Sequence, residues 1–341
     1  MKMFVSDNAS GVHPEVMKAI LDCNNQHVMP YGNDDYTRKA TKLFKEVFGE
    51  NTDVAFVLTG TGANVIGLSS LIRPFESVIT AQTSHVNVDE CSAFERFSGS
   101  KIELINCSHG KLTPELIQPF LMNIGNEHHA QPRVVSISQV TEMGTVYTVD
   151  EIRSIADFSH DNGMLLHMDG ARIANAAASL DISFKTMTTD AGVDMLSFGG
   201  TKNGMMMGEA IVSFNPELTQ HLKYVRKQGM HLASKMRYIS AQFTAYLKES
   251  VWNKNATHAN RMATILANAM GEHSEIRFVA KVQANIIFAE IPKSWNKPLQ
   301  ETSAFYIINE QSNLARFVTS FDTQDDEVRE FIETLNDLAH G

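Results

Sequence analysis

The sequence predicts an α/β protein, with a mostly parallel central sheet covered by helices on both faces and a smaller C-terminal α+β domain behind it. Three observations lead there. Short apolar runs alternate with longer amphipathic stretches from about residue 54 to 214. Those runs are nearly continuous rather than alternating, as in strands buried on both faces. After Phe214 the alternation stops and helical patterning takes over.

Taken in order, the expected strands are 54–58, 77–81, 101–105, 133–138, 164–168, 194–198 and 210–214. Helical patterns lie between most of them, at 62–72, 114–123 and 149–161. Thr148 stands just before Val149 and reads as an N-cap. The last two strands lie close together in sequence and read as an antiparallel pair. Residues 215–271 read as mostly helical, with no glycine between Gly229 and Gly271. Strand-like runs follow at 276–281, 285–291 and 315–321, before a closing acidic helix at 325–338. We divide the chain into a large domain with its N-terminal segment, 1–250, and a small domain, 251–341, with a soft boundary near 215–255.

Composition narrows the function. The chain has 341 residues, 43% of them hydrophobic and 20% charged, as in an ordinary globular protein. A formal net charge of −10 argues against nucleic acid and against anionic membranes as partners. No apolar run approaches the roughly 18 residues of a membrane span. The opening Met1-Lys-Met-Phe-Val-Ser-Asp-Asn8 lacks the apolar core of a secretory leader. Cys23, Cys91 and Cys107 lack metal spacing and read as reduced thiols, so a cytoplasmic protein is expected. No metal site is expected either, because the adjacent pair His128-His129 lacks a partner set.

Four residues or motifs stand at the ends of predicted strands. Thr59-Gly60-Thr61-Gly62-Ala63-Asn64 follows the first strand and opens a helix. Its glycines, its hydroxyls and the helix N-terminus suit a phosphate, although a tight strand–helix turn explains it equally well. His85 follows the second strand in Thr83-Ser-His-Val86 and reads either as a ring-stacking group or as a loop histidine. Asp169 ends Met164-Leu-Leu-His-Met-Asp169, where a carboxylate is often only a helix cap. Lys202 lies in Ser197-Phe-Gly-Gly-Thr-Lys-Asn-Gly204 and, taken alone, is a solvated lysine. Together they point to one ligand, since open α/β sheets bind ligands at the carboxyl ends of their strands. A lysine that can hold an aldehyde as an imine and a carboxylate that can hold a pyridinium nitrogen suit pyridoxal 5′-phosphate (PLP).

The chain resembles the low-specificity L-threonine aldolases of the β-eliminating lyase family, PLP enzymes of the aspartate-aminotransferase-like fold. The resemblance runs through Ser6-Asp-Asn8, Tyr31-Gly-Asn-Asp34, Thr59 to Asn64, His85, His167-Met-Asp-Gly-Ala-Arg-Ile-Ala-Asn175, Gly200-Thr-Lys202, Leu232-Ala-Ser-Lys-Met-Arg237 and Ala315-Arg-Phe-Val-Thr319. It implies that Lys202 holds the PLP aldehyde, Asp169 the ring nitrogen and His85 the ring face. It further implies that Gly60, Thr61 and Gly62 hold the phosphate, with Lys227 reaching over from a neighbouring subunit. Arg172 lies beside the cofactor and, with Ser6 and Arg316, would clamp the substrate carboxylate. From the residues alone, Arg172 also reads as a surface helix residue and Arg316 as half of an internal ion pair. The resemblance places Tyr31 in a partner's site, within a homotetramer whose active sites lie at a dimer interface. The implied reaction is retro-aldol cleavage of L-threonine, L-allo-threonine and related β-hydroxy-α-amino acids, aryl serines included, to glycine and an aldehyde. β-Elimination or glycine hydroxymethyl transfer on the same scaffold is the alternative.

The chain departs from the family pattern at Glu142, in Gln139-Val-Thr-Glu-Met-Gly144, where many members carry a histidine near the substrate hydroxyl. Glu142 reads either as the base for that hydroxyl, with His85 or a water, or as a structural turn residue.

Overall fold

The computed structural model describes residues 3–340. Seven strands form the central sheet: β1 Asp53–Val57, β2 Glu76–Ala81, β3 Lys101–Ile105, β4 Gln131–Ser138, β5 Leu165–Gly170, β6 Met195–Phe198 and β7 Glu209–Ser213. Their spatial order is β1-β7-β6-β5-β4-β2-β3. Every strand expected between 54 and 214 is present, with its ends moved by a few residues at most. The run from β6 through β5, β4 and β2 to β3 is parallel. β7 is antiparallel to both β6 and β1, as its short connection to β6 requires. β1 therefore points the same way as the parallel strands, and all their carboxyl ends share one edge.

Neighbouring side chains along each strand enter opposite layers. Phe56, Ile79, Val135, Leu196 and Val212 join one buried cluster, while Ala55, Val57, Val78, Val134, Met195 and Ile211 join the other. In the first, Phe44 packs against Phe56, Phe198 and Phe243 with ring centroids 5.7, 5.6 and 5.3 Å apart. Helix Gly60–Leu71 is buried nearly all round, which explains its lack of a polar face. Helix Val149–Asp161 begins at a full capping box, with Thr148 and Glu151 each bonding the other's backbone N–H.

The small sheet is antiparallel, in the order β10-β11-β9-β8: β8 Arg277–Phe278, β9 Ile286–Glu290, β10 Tyr306–Asn309 and β11 Leu314–Val318. Helices Val251–Met270 and Asp325–His340 pack on it. The N-terminal segment joins it too. The Phe4 N–H donates to Ala304 O at 2.7 Å, Phe4 O accepts from the Val318 N–H at 2.8 Å, and the Phe4 ring packs edge-on against Phe331.

Some details differ from the sequence reading. The helix expected at 114–123 is one α turn, Pro114–Ile117, followed by the 3-10 segment Gln118–Asn123. Pro119 lacks an N–H and so removes one α-helical hydrogen bond at that point. The strand expected at 276–281 shrinks to β8 at the sheet edge. Edge strand β10 and the helices Pro14–Asp22 and Asp35–Phe48 were not anticipated. Asp34 caps the latter, and Ala40, Phe44 and Phe48 form its buried face.

Candidate active site

The four strand-end features meet at the shared edge. At the end of β1, Thr59 caps helix Gly60–Leu71, and its Oγ1 accepts the Gly62 N–H at 3.0 Å. The N–H groups of Gly60 and Thr61 have no partner among the described residues. A Cβ on Gly60 would meet nothing within 4 Å. Two free N–H groups at a helix N-terminus suit an anion. Gly62 is glycine for a different reason. A Cβ there would stand 2.5 and 2.6 Å from the two ring nitrogens of His231. That ring is held in place because Nδ1 accepts the Leu58 N–H at 3.2 Å, and burial depresses its pKa.

Asp169, at the end of β5, is 9% exposed. Its Oδ1 accepts the Ala171 N–H at 3.0 Å and its Oδ2 accepts Asn64 Nδ2 at 2.8 Å. No cation pairs with it among the described residues. His167, two residues earlier, bridges the hydroxyls of Ser136 and Ser197 at 2.9 and 3.0 Å and so ties β4, β5 and β6 together. Burial lowers its pKa to about 4, so it is neutral. His85 follows β2. Its Nδ1 lies 2.8 Å from Glu90 Oε1, and this bond lifts its pKa against burial, with help from Asp169 and Glu142.

Lys202 sits in a turn between β6 and β7 that is held from several sides. Glu209 Oε2 accepts the Gly200 N–H and also bonds Thr201. Asn203 Nδ2 donates to Tyr246 Oη at 2.8 Å and to Trp252 O at 2.9 Å. A Cβ on Gly199 would lie 2.5 Å from Ala171 O, so this glycine lets the Lys202 turn close on the Asp169 turn. The Lys202 amine has no hydrogen bond or ion pair among the described residues, and its charge acts on Asp7, Glu142 and Glu209.

Arg172 is not a surface residue. Its Nε and Nη2 donate to Asp7 Oδ2 and Oδ1 at 2.7 and 3.0 Å, and both partners are buried. Burial would raise the Asp7 pKa, but Arg172 and Asn285 outweigh it, and the carboxyl ends below its usual range. Arg316 donates Nη2 to Val5 O at 3.3 Å and lies over the Tyr306 ring, while its buried Nε has no partner. Burial and the charge of Arg172 depress its pKa, so two guanidiniums crowd one region. That crowding suits a carboxylate ligand. Ser6 lies between Val5 and Asp7, and its Oγ accepts the Asn8 N–H at 3.2 Å.

Glu142 is half-buried and has no hydrogen bond among the described residues. Burial raises its pKa. Arg172 opposes the rise, Asp169 adds to it, and Lys202 and His85 oppose it. This carboxyl thus lies within electrostatic reach of all four groups. Tyr31 and Lys227 do not bond any of these residues. Both are exposed, with Lys227 Nζ 5.6 Å from the Tyr31 ring centroid.

Asp7, Asn64, Glu90, Glu209 and His231 took no part in the sequence reading of the site. Glu209 carried a signal, being a charged first residue of an otherwise apolar strand. Asp7 and Asn64 lay inside motifs already noted. Nothing in the sequence ties Glu90 or His231 to the site.

The β-eliminating lyase family matches residues 4–293. The low specificity L-threonine aldolase of Pseudomonas aeruginosa is 40% identical over 336 residues, covering 98% of this chain and 97% of that protein. The solved Leishmania major threonine aldolase superposes with a TM-score of 0.95 at 30% identity, over 99% of this chain and 100% of that one. Aspartate aminotransferase from Thermus thermophilus gives a TM-score of 0.69 at 12% identity, over 97% and 89% of the two chains, a likeness of fold alone. The fold is therefore the aspartate-aminotransferase-like one.

Proposed function

The chain belongs to the β-eliminating lyase family of PLP-dependent enzymes, and from that premise we propose that it cleaves β-hydroxy-α-amino acids to glycine and an aldehyde. The substrates are L-threonine, L-allo-threonine and related compounds, aryl serines included. The observation that carries this reading is the meeting of the helix start at Gly60, His85, Asp169 and the Lys202 turn at one edge of the sheet, tied through Asn64, Glu90 and the Gly199–Ala171 contact.

The residues present fit the cofactor. Among the described residues, Lys202 offers an unpaired amine, Asp169 a buried carboxylate without a cation, and Gly60 and Thr61 unpaired N–H groups at a helix N-terminus. When bound, PLP supplies an aldehyde that captures an amino group and a ring that takes up the electron pair left on Cα. Lys202 would hold that aldehyde and Asp169 would keep the ring nitrogen protonated. His85 would cover the ring, and Gly60, Thr61 and Gly62 would form the phosphate cradle. Ser6, Arg172 and Arg316 bind the substrate carboxylate and orient the Cα–Cβ bond; Arg316 comes from the small domain, 251–341, and the others from 1–250. Glu142, directly or through a water shared with His85, takes the β-hydroxyl proton. The Cα–Cβ bond then breaks, Cβ leaves as the aldehyde carbon, and Cα takes a proton to become glycine. A carboxyl raised by burial is matched to proton transfer near neutral pH.

Tyr31 and Lys227 act on a neighbouring copy within a homotetramer. Their exposed pairing supports this, as do Met29, two residues before Tyr31, and Met230, three residues after Lys227, which are 64% and 84% exposed, surfaces that an assembly would cover. No helix among the described residues is long and apolar enough to cross a membrane.

The test mixes the protein and PLP with L-threonine, L-allo-threonine and phenylserine and follows aldehyde and glycine. Both are expected with the wild type and neither with Lys202→Ala. Pyruvate from serine without aldehyde from any of the three would replace the proposal with β-elimination. Glu142→Gln should lower kcat/KM by roughly 100-fold or more, the usual contribution of a positioned base. Near-wild-type activity would remove Glu142 from the reaction.

A further inference from the structure

Glu90 is absent from every role assigned above. It lies five residues beyond His85, past the single helical turn His85–Val88, and is 4% exposed. Its Oε1 accepts two hydrogen bonds, from Asn64 Nδ2 at 2.8 Å and from His85 Nδ1 at 2.8 Å. The same Asn64 nitrogen donates to Asp169 Oδ2 at 2.8 Å. One carboxylate oxygen and one amide group thus connect His85 to Asp169.

The donor count leaves little freedom. The Asn64 amide has two hydrogens, and each goes to a different carboxylate. Turning that amide over would set its oxygen against both. An ionised Glu90 can only accept, so with this carboxylate charged the proton on the His85–Glu90 bond sits on Nδ1, leaving Nε2 as the free position of the ring. Burial raises the Glu90 pKa, and its bonds to His85 and Asn64 oppose that rise. The His85 side chain keeps 28% exposure, while that of Glu90 has none. Asn64 Oδ1 and Glu90 Oε2 are buried without partners. Leaving such acceptors unpaired is costly, so this arrangement is poor as a purely structural device.

We infer that Glu90 is a positioning residue of this site: it sets the tautomer and ring plane of His85 and, through Asn64, holds Asp169 Oδ2. Its kinetic consequence rests on the aldolase reading, but the network itself does not. The charged groups acting on His85 are Glu90, Asp169 and Glu142, and the Glu90 bond is the largest influence raising its pKa.

Glu90→Gln keeps the shape and removes the charge. The first readout is the histidine NMR titration of the full-length protein, with and without PLP, with His85 assigned by its loss in His85→Asn. The His85 titration should move to lower pH in Glu90→Gln, and an unmoved one overturns the inference. The second readout is kinetic. kcat should fall roughly 10- to 100-fold, taking as the scale the cost of removing the outer carboxylate partner of a metal-bound histidine. The double variant with His85→Asn should be no slower than His85→Asn alone, because Glu90 acts through that ring. Independent, multiplying losses overturn the role. If Glu90→Gln does not fold, Asn64→Ala carries the test. It should weaken PLP retention while leaving the His85 titration close to wild type, and unchanged retention overturns the link to Asp169. A wild type that releases no aldehyde sinks the aldolase reading and leaves the titration test standing. A wild-type aldolase indifferent to Glu90→Gln sinks this inference alone.

Discussion

Gly62→Ala tests why helix Gly60–Leu71 begins as it does. A methyl group at Gly62 would collide with the His231 ring, 2.5 Å from Nε2 and 2.6 Å from Nδ1. The ring cannot swing aside freely, because it is half-buried and Nδ1 holds the Leu58 N–H. Moving it forfeits that hydrogen bond, about 0.5–1.5 kcal/mol, and overpacking adds about 1–3 kcal/mol. Alanine returns up to about 1 kcal/mol of helix propensity. The net expectation is a loss of about 0.5–4.5 kcal/mol. Urea unfolding of the wild type, Gly62→Ala, His231→Ala and the double variant measures it. With His231 removed, Gly62→Ala should be neutral or stabilising. An equal loss in both backgrounds, or no loss in the first, would refute the steric argument and return Gly62 to a role at the anion alone.

Two further outcomes follow from buried charges. Burial lifts the Glu209 carboxyl from 4.5 to about 7 against its bonds to Thr201 and Gly200. The folded state therefore binds this proton more tightly than the unfolded chain, and stability falls by up to ~1.4 kcal/mol per pH unit as pH rises between those values. Glu209→Gln should remove that slope, read as urea midpoints at about pH 5 and about pH 8. Asp7→Asn strips Arg172 of its bidentate partner and should destabilise by about 3–5 kcal/mol near neutral pH. Because the folded Asp7 pKa is depressed, its contribution is present above the ordinary carboxylate range and is lost as pH falls, so wild type and variant should converge in acid. The KM for L-threonine should rise in the same variant, since Arg172 loses its orientation.

The sequence by itself determined the kind of sheet and the edge on which the site lies. Continuous apolar runs alternating with amphipathic ones are a local record of burial, and strand–helix alternation sends the carboxyl ends of the parallel strands to one side. Lys202 and Asp169 were legible as a pair because both follow such runs, and Thr148 was legible because a cap is a local device. Only the tertiary structure decided which residues hold them. Asp7 takes the fork of Arg172 from 165 positions away, and Glu90 reaches Asp169 only through Asn64. Gly62 is glycine on account of His231, and β1 lies beside β7, the last strand of its sheet. The same segment that supplies Asp7 enters the core beside the small sheet through Phe4, which no periodicity could announce. Periodicity records whether a residue is buried. It does not record what it is buried against, because that depends on how distant segments close over one another.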